Sequence, residues 1–377
     1  MKLLVCTSEY PPEYSAGIGN VAYNVVEQLK KTGVKCTVCS PNADIKIGNS
    51  RMIEKSGILG LLYYWHQVSK YFKNRADDYD LVWLHNPLFI RNNPFKSSVV
   101  TMHATAYGQI IHRIYPLHFH IYKKISSLIE RYCLNKMNEK ARFTAVSTQV
   151  CKELEEIGIS KQKITYIPNG VDTKLFKPSA SDDKKSLRKK FGIPEEDLII
   201  LSLGRLTEVK QPQKMIEVFS LIEKEIKDVT LVIAGKGELL GKTKDFVKQK
   251  KLDNVIFLGY VDHEKEAPDL YACSDYFIIS SKYEGGEPIL TVAEAMASGL
   301  PCIASNIPNL RLVEDANCGI MVDFNDVEKA AKRIITYLEG VNSEHSKNAR
   351  GYAVKNLDWK IIAGRYLEEF KKILAEE

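Results

Sequence analysis

The chain has 377 residues, of which 45% are hydrophobic and 27% are charged, a composition typical of globular proteins and too apolar for a disordered one. This length predicts two domains, and because no run of 18 uncharged apolar residues occurs, no membrane-spanning helix is predicted. The charge is uneven: residues 1–178 carry 24 Lys and Arg against 14 Asp and Glu, and the rest carry 29 against 33. The positive charge of the first half indicates an anionic acceptor or a membrane surface. Lysines scattered over a solvated surface explain it equally well.

The N-terminal stretch, MKLLVC, predicts a first strand and not a signal peptide, because two prolines follow it without a small-residue cleavage site. Eight cysteines are spread along the chain, and several lie in strand-like apolar runs, where cysteine acts as a small core residue. We therefore expect reduced, buried thiols in a protein that is cytoplasmic or peripheral at the inner face of the membrane.

Apolar runs alternate with helical patterns along the first half of the chain. Six runs predict strands: MKLLVC, VKCTVCS, DLVWLHN, SSVVTMH, ARFTAVS and KITYIPN. Ile18–Thr32 predicts a helix between the first two, since its apolar residues recur on one face. This alternation predicts a parallel, doubly wound sheet in a domain of residues 1–178.

Residues 179–197 are charged, contain Ser and Pro and lack a strand pattern, which predicts a linker. Residues 198–355 then predict a second parallel α/β domain, with helices at Gln213–Glu225 and Thr291–Ser298. Its strands are the runs DLIILSLGR, VTLVIAG, NVIFLGY, DYFIISS, LPCIASN and GIMVDF.

The tail, residues 356–377, predicts one amphipathic helix from Trp359 to Ala375 that packs back toward the first domain. The fold class is therefore α/β, with two Rossmann-like, doubly wound parallel sheets facing a central cleft. In such folds ligands bind at the carboxyl ends of the strands, so the chemistry is expected in the loops that follow them.

The loop after the first strand contains Gly17 and Gly19 just before a helix, so backbone amides can approach a phosphate there. Gly17-x-Gly19-x-x-Ala22 also resembles a dinucleotide fingerprint. However, Ser40 ends the second strand, where a nicotinamide enzyme needs a carboxylate for the ribose. A dehydrogenase is thus the weaker alternative.

Two segments of the second domain predict a sugar-nucleotide site. After the strand that ends at Gly204, Arg205 can bind phosphate oxygens with its guanidinium, and Lys210 adds a positive charge near the next helix. A Gly-rich acidic loop precedes a later helix that begins near Thr291. The exposed amides at the start of this helix can bind an anionic diphosphate. Glu294, one turn further, can accept hydrogen bonds from sugar hydroxyls.

Four segments, in the same order along the chain, resemble motifs of the family 4 retaining glycosyltransferases, which have the GT-B fold. They are SEYPPEYSAGIG, TAVSTQVCKELEEIGISKQKITYIPNGVDTKLFKP, GRLTEVK and EAMASGLPCIAS, and the resemblance covers essentially the whole chain. It implies transfer of a hexose, in glycan biosynthesis, from a UDP- or GDP-sugar to a hydroxyl acceptor with retention at the anomeric carbon. Arg205 and Lys210 would neutralise the leaving diphosphate, so neither a metal ion nor another cofactor is expected.

By position, the resemblance implies that Glu294 holds the nucleotide ribose and that Gly17 gives its amide to the distal phosphate. His103, in VVTMHATAYG, matches a histidine that contacts the transferred sugar at its primary hydroxyl. Further contacts with the donor are expected from the turn at the end of the first domain, the base-side loop, and the acidic loop with its helix start: Asn169, Val261, Gly286, Pro288, Ile289, Leu290 and Thr291.

The acidic loop departs from the family pattern, in which the first glutamate of a pair lies eight positions before the second. Here Gly286 stands at that position, whereas Glu284 lies ten and Glu287 seven positions before Glu294. Either carboxylate can reach hydroxyls of the donor sugar if the loop is remodelled. We assign the catalytic position to Glu287 and keep Glu284 as the alternative.

Two further substitutions leave the sugar specificity open: Ala16 precedes Gly17 where the family has two glycines, and Gln211 replaces the glycine after the lysine. Two other classes stay open as alternatives, a GT-B-fold nucleotide-sugar epimerase and a non-catalytic nucleotide-sugar-binding protein. The acceptor is expected to be a sugar, a glycolipid or a small molecule. No nucleic-acid partner is predicted, since nothing beyond the general positive charge of the first half indicates one.

Two stretches of the first domain interleave aromatic, basic and aliphatic residues: GILGLLYYWHQVSKYF and YGQIIHRIYPLHFHIYKKISSLIERY. This pattern is typical of helices that lie on anionic membranes. Buried helix faces explain it at least as well, so contact with an anionic membrane is one of two interpretations.

Overall fold

The computed structural model describes residues 1–11, 17–91, 93–112, 115, 117–340 and 343–375, and for residues 181 and 182 it describes the backbone alone. Residues 12–16 of the predicted N-terminal glycine loop, including Ala16, lie outside the described residues. Among the described helices, none combines the length and the apolar content that a membrane crossing requires.

Thirteen strands and fourteen α-helices are formed by the described residues. The strands are β1 (Lys2–Cys6), β2 (Lys35–Ser40), β3 (Ile45–Lys46), β4 (Leu81–His85), β5 (Ser98–Met102), β6 (Ala141–Ala145), β7 (Ile164–Tyr166), β8 (Leu198–Leu203), β9 (Val229–Ala234), β10 (Val255–Gly259), β11 (Tyr276–Ile279), β12 (Cys302–Ser305) and β13 (Gly319–Val322). The helices are α1 (Gly17–Lys31), α2 (Ser50–Phe72), α3 (Ala106–Ile111), α4 (His120–Met137), α5 (Thr148–Ile157), α6 (Ser181–Phe191), α7 (Pro212–Glu225), α8 (Leu240–Lys250), α9 (Ala267–Cys273), α10 (Leu290–Ala297), α11 (Leu312–Asp315), α12 (Val327–Leu338), α13 (Ser343–Tyr352) and α14 (Trp359–Ala375).

The first of two structural units comprises Met1–Gly170, Gly285–Glu287 and Trp359–Glu377. Its seven strands form one parallel sheet in the order β3-β2-β1-β4-β5-β6-β7. The six predicted strands are confirmed, and β3 adds a two-residue edge strand. All five residues of β4 are buried, as expected for a parallel strand covered on both faces, and this explains why such strands are continuous apolar runs.

The C-terminal helix α14 belongs to the first unit and confirms the predicted helix from Trp359 to Ala375. The Tyr366 and Phe370 rings lie 4.8 and 5.6 Å from the Trp83 ring, measured between centroids. The apolar face of this helix thus packs against the middle of the sheet.

The second unit comprises Val171–Glu284 and Pro288–Asp358. It contains a six-stranded parallel sheet in the order β10-β9-β8-β11-β12-β13, in which all six strands were predicted. Alternate residues of β8 belong to two different apolar clusters. Ile199 and Leu201 pack in one cluster, and Ile200 packs in the other. The sheet is therefore covered by helices on both faces, as in a doubly wound fold.

Residues 179–197, predicted as a linker, lie within the second unit and contain helix α6. The buried Arg188 guanidinium of α6 donates to the carbonyl of Cys273 at 3.0 Å and to the carboxylate of Asp275 at 2.6 Å. A charged segment can join a core when its buried cation is paired. The boundary between the two units therefore falls earlier than the predicted linker, after Gly170.

The strand order reverses between β1 and β4 in the first sheet and between β8 and β11 in the second. Loops that leave neighbouring parallel strands in opposite directions open a crevice at their carboxyl ends. At or after the carboxyl ends of these four strands lie Gly17, His85, Arg205 and Glu284, so each sheet presents predicted or chemically suitable residues at its switch point.

Candidate functional site

Arg205 is exposed immediately after strand β8. The preceding Gly204 has φ +155°, in the region that favours glycine, and a Cβ on Gly235 would collide with the Gly204 carbonyl. These glycines let the ends of β8 and β9 approach closely and turn the chain outward. Within the described residues, no side chain forms an ion pair or hydrogen bond with the Arg205 guanidinium, so its five donors are available to an anion.

Lys210 ends a short 3₁₀ helix, Glu208–Lys210, and its ammonium group forms an ion pair with the Glu284 carboxylate. The Glu284 side chain is only 10% exposed, and the Ser280 hydroxyl donates to the Lys210 carbonyl at 2.7 Å. Gln211 follows with φ +47°, a left-handed conformation that glycine adopts without strain. This explains why the resembled family has glycine at that position.

Arg205 and Lys210 line the same small cavity in the second unit, together with Gly204 and Ser280. Strands β8 and β11 are neighbours in the sheet, so the structure brings together two predicted cations and Glu284 at one strand edge. The single carboxylate neutralises only one of the two positive charges. The remaining positive charge can bind a diphosphate.

Glu294 lies on helix α10 with 6% of its side chain exposed, and both of its carboxylate oxygens are hydrogen-bonded. His263 Nε2 lies 2.8 Å from Oε1, and the Tyr271 hydroxyl donates to Oε2 at 3.0 Å. The hydrogen bond to the Glu294 carboxylate raises the pKa of His263, although partial burial opposes it. His263 and Tyr271 thus fix the carboxylate, and the sequence patterns did not predict either residue.

Helix α10 begins after Pro288, and its N-cap residue, Ile289, has no side-chain acceptor. The first helical bonds run from the amides of Val292 and Ala293 to the Ile289 carbonyl, at 3.1 and 3.0 Å. The amides of Leu290 and Thr291 therefore precede the first intrahelical bonds, and such amides bind anions at helix starts.

In the first unit, His103 follows strand β5 and forms a hydrogen bond with a second histidine. His103 Nε2 lies 3.0 Å from His85 Nδ1, and the two rings are stacked with centroids 5.3 Å apart. Burial lowers the pKa of His103 to about 3 and lowers that of His85 well below its usual value. Both imidazoles are neutral at physiological pH, so His103 can exchange hydrogen bonds with a hydroxyl without adding charge.

Gly17 is the first residue of helix α1, and within the part of the chain that the structure describes, a Cβ there would meet no atom within 4 Å. No acidic residue occupies the first turn of α1. The positive end of this helix dipole is therefore not offset by a carboxylate of its own first turn, and a phosphate can approach the backbone of Gly17.

Glu287 belongs to the first unit, where its carboxylate accepts hydrogen bonds from the Thr148 amide at 2.8 Å and the Thr148 hydroxyl at 2.7 Å. Its amide donates to the Val146 carbonyl at 2.9 Å. Two residues earlier, a Cβ on Gly285 would lie 2.7 Å from the His103 carbonyl oxygen, so this position needs glycine. The segment with Gly286 therefore belongs to the first unit, whereas Glu284 pairs with Lys210 within the second unit.

Two further residues that were predicted to contact the donor, Asn169 and Val261, are buried and half-buried respectively. Asn169 is buried in the turn that connects the units, where the neighbouring Gly170 leaves room for the ring of Trp359. Val261 is half-buried against the core of the second unit, after the exposed Tyr260, whose ring lies 5.5 Å from the Lys236 ammonium group. Within the second unit, Val261 is not one of the residues that line the cavity shared by Arg205 and Lys210.

Comparison with known proteins decides the family. A model described as Glycosyltransferase Family 4 matches residues 15–175, and one described as Glycosyl transferases group 1 matches residues 183–355. The chain is a family 4, group 1 glycosyltransferase. It is 30% identical over 220 residues to the UDP-Gal:alpha-D-GlcNAc-diphosphoundecaprenol alpha-1,3-galactosyltransferase of Escherichia coli, an alignment that covers 56% of this chain and 54% of that protein.

Two solved structures resemble this glycosyltransferase along nearly the whole chain. Sucrose-phosphate synthase from Thermosynechococcus elongatus superposes with a TM-score of 0.77 at 19% identity, covering 100% of each chain. Anabaena Alr3699/HepE in complex with UDP and glucose superposes with a TM-score of 0.73 at 18% identity, covering 98% of this chain and 99% of that one. With the two parallel sheets, these likenesses establish the GT-B fold.

Proposed function

We propose that this glycosyltransferase moves a hexose from a nucleoside diphosphate sugar to a hydroxyl acceptor, with retention at the anomeric carbon and without a metal ion. The observation that carries the proposal is the cavity that Arg205 and Lys210 share at the switch point of the second sheet. Negative charge grows on the diphosphate as the glycosidic bond breaks, and preorganised cations stabilise that charge most in the transition state. Two fixed cations take the role that Mg²⁺ has in other phosphate sites.

The helix start of α10 supplies the second part of the donor site. The amides of Leu290 and Thr291 bind the diphosphate, and Glu294 accepts hydrogen bonds from the ribose hydroxyls with its remaining lone pairs. A carboxylate held at both oxygens loses little conformational entropy on binding, so its fixed position favours the nucleotide.

For the first glutamate of the family motif we propose Glu284, because its carboxylate pairs with Lys210 within the second unit. Glu284 then orients the ammonium group that neutralises the diphosphate. Glu287 instead anchors its own segment through Thr148. In the first unit, the neutral His103 contacts the primary hydroxyl of the transferred sugar, with His85 as its hydrogen-bond partner.

The names of similar proteins support a UDP-sugar donor, since one relative is a UDP-galactose-dependent transferase and one structural neighbour holds UDP and glucose. A glycolipid is the acceptor class that we propose to test first, because that relative acts on a diphosphoundecaprenol-linked sugar. Free sugars and small molecules are the comparison acceptors.

The test is an assay of nucleotide release from UDP- and GDP-sugars, with and without each acceptor and with EDTA present. We expect release that depends on acceptor, resists EDTA and yields an α-linked product by NMR from an α-linked donor. Lys214→Ala is the matched control for Lys210→Ala, because Lys214 also pairs with a glutamate, Glu217, but lies on the following helix. Conversion of the donor sugar to an isomer without any acceptor would instead identify an epimerase.

A further inference from the structure

Helix α4 exposes an apolar face, which an ordinary surface helix does not. At 100° per residue, Ile121, Ile125, Leu128 and Tyr132 lie on one face, and their side chains are 74%, 51%, 66% and 55% exposed. A surface helix normally turns such residues toward the core and its polar residues toward water. We name these four residues the apolar stripe of α4.

The opposite face of α4 buries three polar residues, Ser126, Ser127 and Glu130, besides the apolar Cys133, Leu134 and Met137. The Glu130 carboxylate accepts a hydrogen bond from the Ala106 amide at 2.7 Å, and burial raises its pKa to about 8. Packing inside the first unit therefore does not explain why isoleucine and leucine occupy the exposed side.

Exposed basic residues accompany the apolar stripe, namely Lys124, Arg131 and Lys136. The Lys136 ammonium group lies 5.9 Å from the centre of the Tyr132 ring. Glu130 is the only acidic residue within α4, and it is buried on the other side. The exposed face of this helix thus combines apolar side chains with positive charge and carries no exposed carboxylate of its own.

Helix α2 extends this surface. The Ile58 amide donates a hydrogen bond to the Tyr122 hydroxyl at 2.8 Å, next to Gly57, whose φ of +53° interrupts the helix. Leu59 follows with 69% of its surface exposed, and Tyr63, one turn later, is half-exposed. The two stretches of interleaved aromatic, basic and aliphatic residues are therefore neighbours in the structure.

We propose that the exposed face of α4, with the adjoining part of α2, lies on an anionic lipid bilayer. Apolar side chains enter the boundary between headgroups and acyl chains, and lysine and arginine bind the anionic headgroups. A second copy of this chain is a poorer occupant, because a twofold interface on this face would place its basic residues near one another. The inference concerns binding alone and does not depend on the proposed reaction.

The test is flotation of the full chain with vesicles that contain about 30% phosphatidylglycerol in phosphatidylcholine, against vesicles of phosphatidylcholine alone. We expect the wild type to float with the anionic vesicles only, and less so as the salt rises from about 0.1 to 0.5 M. The triple variant I121S/I125S/L128S should lose at least about tenfold in its partition coefficient, since three buried side chains are removed from the bilayer.

The charge variant K124E/R131E should bind at least about 25-fold more weakly, because each basic residue near the surface contributes about fivefold. The matched controls, L175S/V354S and K248E/K332E, change exposed residues of the second unit and should float like the wild type. Circular dichroism and thermal unfolding of every variant show whether it is folded.

Three results would overturn the proposal: equal binding to both kinds of vesicle, no binding by the wild type, or unchanged binding by folded α4 variants. A fourth comes from sedimentation velocity. If the wild type is a dimer that becomes a monomer in I121S/I125S/L128S and neither floats, the face binds a second copy and not a membrane.

Discussion

Replacing His263 by alanine removes one of the two hydrogen bonds that hold the Glu294 carboxylate. The bond with Glu294 raises the pKa of His263, and the nearby Glu264 and Asp262 act in the same direction. Because this pKa is raised on folding, the stabilisation is complete below the unfolded value of about 6.5 and is lost as the pH rises through the folded value.

The magnitude follows from the type of bond and its exposure. A hydrogen bond to a charged group contributes about 1.5–3 kcal/mol. Since half of the His263 side chain is exposed, solvent screening reduces this to about 1 kcal/mol. We therefore expect His263→Ala to lower the free energy of unfolding by about 1 kcal/mol near pH 6 and by much less near pH 9.

Urea unfolding followed by circular dichroism measures this difference. His345→Ala is the matched control, because His345 bonds to Tyr337 and Asn317 and not to a carboxylate, so its effect should change little between the two pH values. In a Glu294→Gln background, His263→Ala should lose its pH dependence. An equal loss of stability near pH 6 and pH 9, or a pH dependence that persists without Glu294, would refute the reasoning.

Three further results are expected. Arg205→Ala should lower turnover at least about tenfold, because in the proposed mechanism it removes a cation that stabilises the transition state; steady-state rates like the wild type's would contradict its role. His103→Ala should weaken use of the donor sugar but leave binding of the free nucleoside diphosphate unchanged by calorimetry, whereas equal losses for both would place His103 elsewhere. Gly170→Ala should lower the free energy of unfolding in urea by about 1–3 kcal/mol, since its Cβ would collide with the Trp359 ring. The control is Gly364→Ala, in helix α14 with open space around its Cβ, which should be neutral or stabilising.

The strands of both sheets could be predicted because a parallel strand buried on both faces is a short, continuous apolar run. Strand β9, for example, is buried at all six positions. Helix α6 was harder to place, since its charged sequence resembles a linker. Its position in the second unit depends on Arg188 reaching Cys273 and Asp275, which lie 85 and 87 positions away.

The candidate site shows the same division between local and distant signals. Arg205 follows a predicted strand, and helix α10 follows a Gly-rich loop, so local patterns were sufficient to select them. His263 and Glu294 lie 31 positions apart, and Thr148 and Glu287 lie 139 apart. No spacing rule links such pairs, and therefore the choice between Glu284 and Glu287 depended on tertiary contacts.

The central claim, a nucleoside diphosphate sugar bound through Arg205 and Lys210 without a metal ion, is tested most directly by a thermal-shift panel. UDP, GDP, ADP, their sugar conjugates and NAD would be compared with and without EDTA, in the wild type and in R205A/K210A. A ligand at a hundred times its dissociation constant stabilises the folded state by about 2.7 kcal/mol, which shifts the unfolding temperature measurably. We predict that one nucleoside diphosphate and its sugar conjugates raise the unfolding temperature, that EDTA does not change this shift, and that the double variant loses it. A shift with NAD alone, or one that survives in the double variant, would contradict the claim.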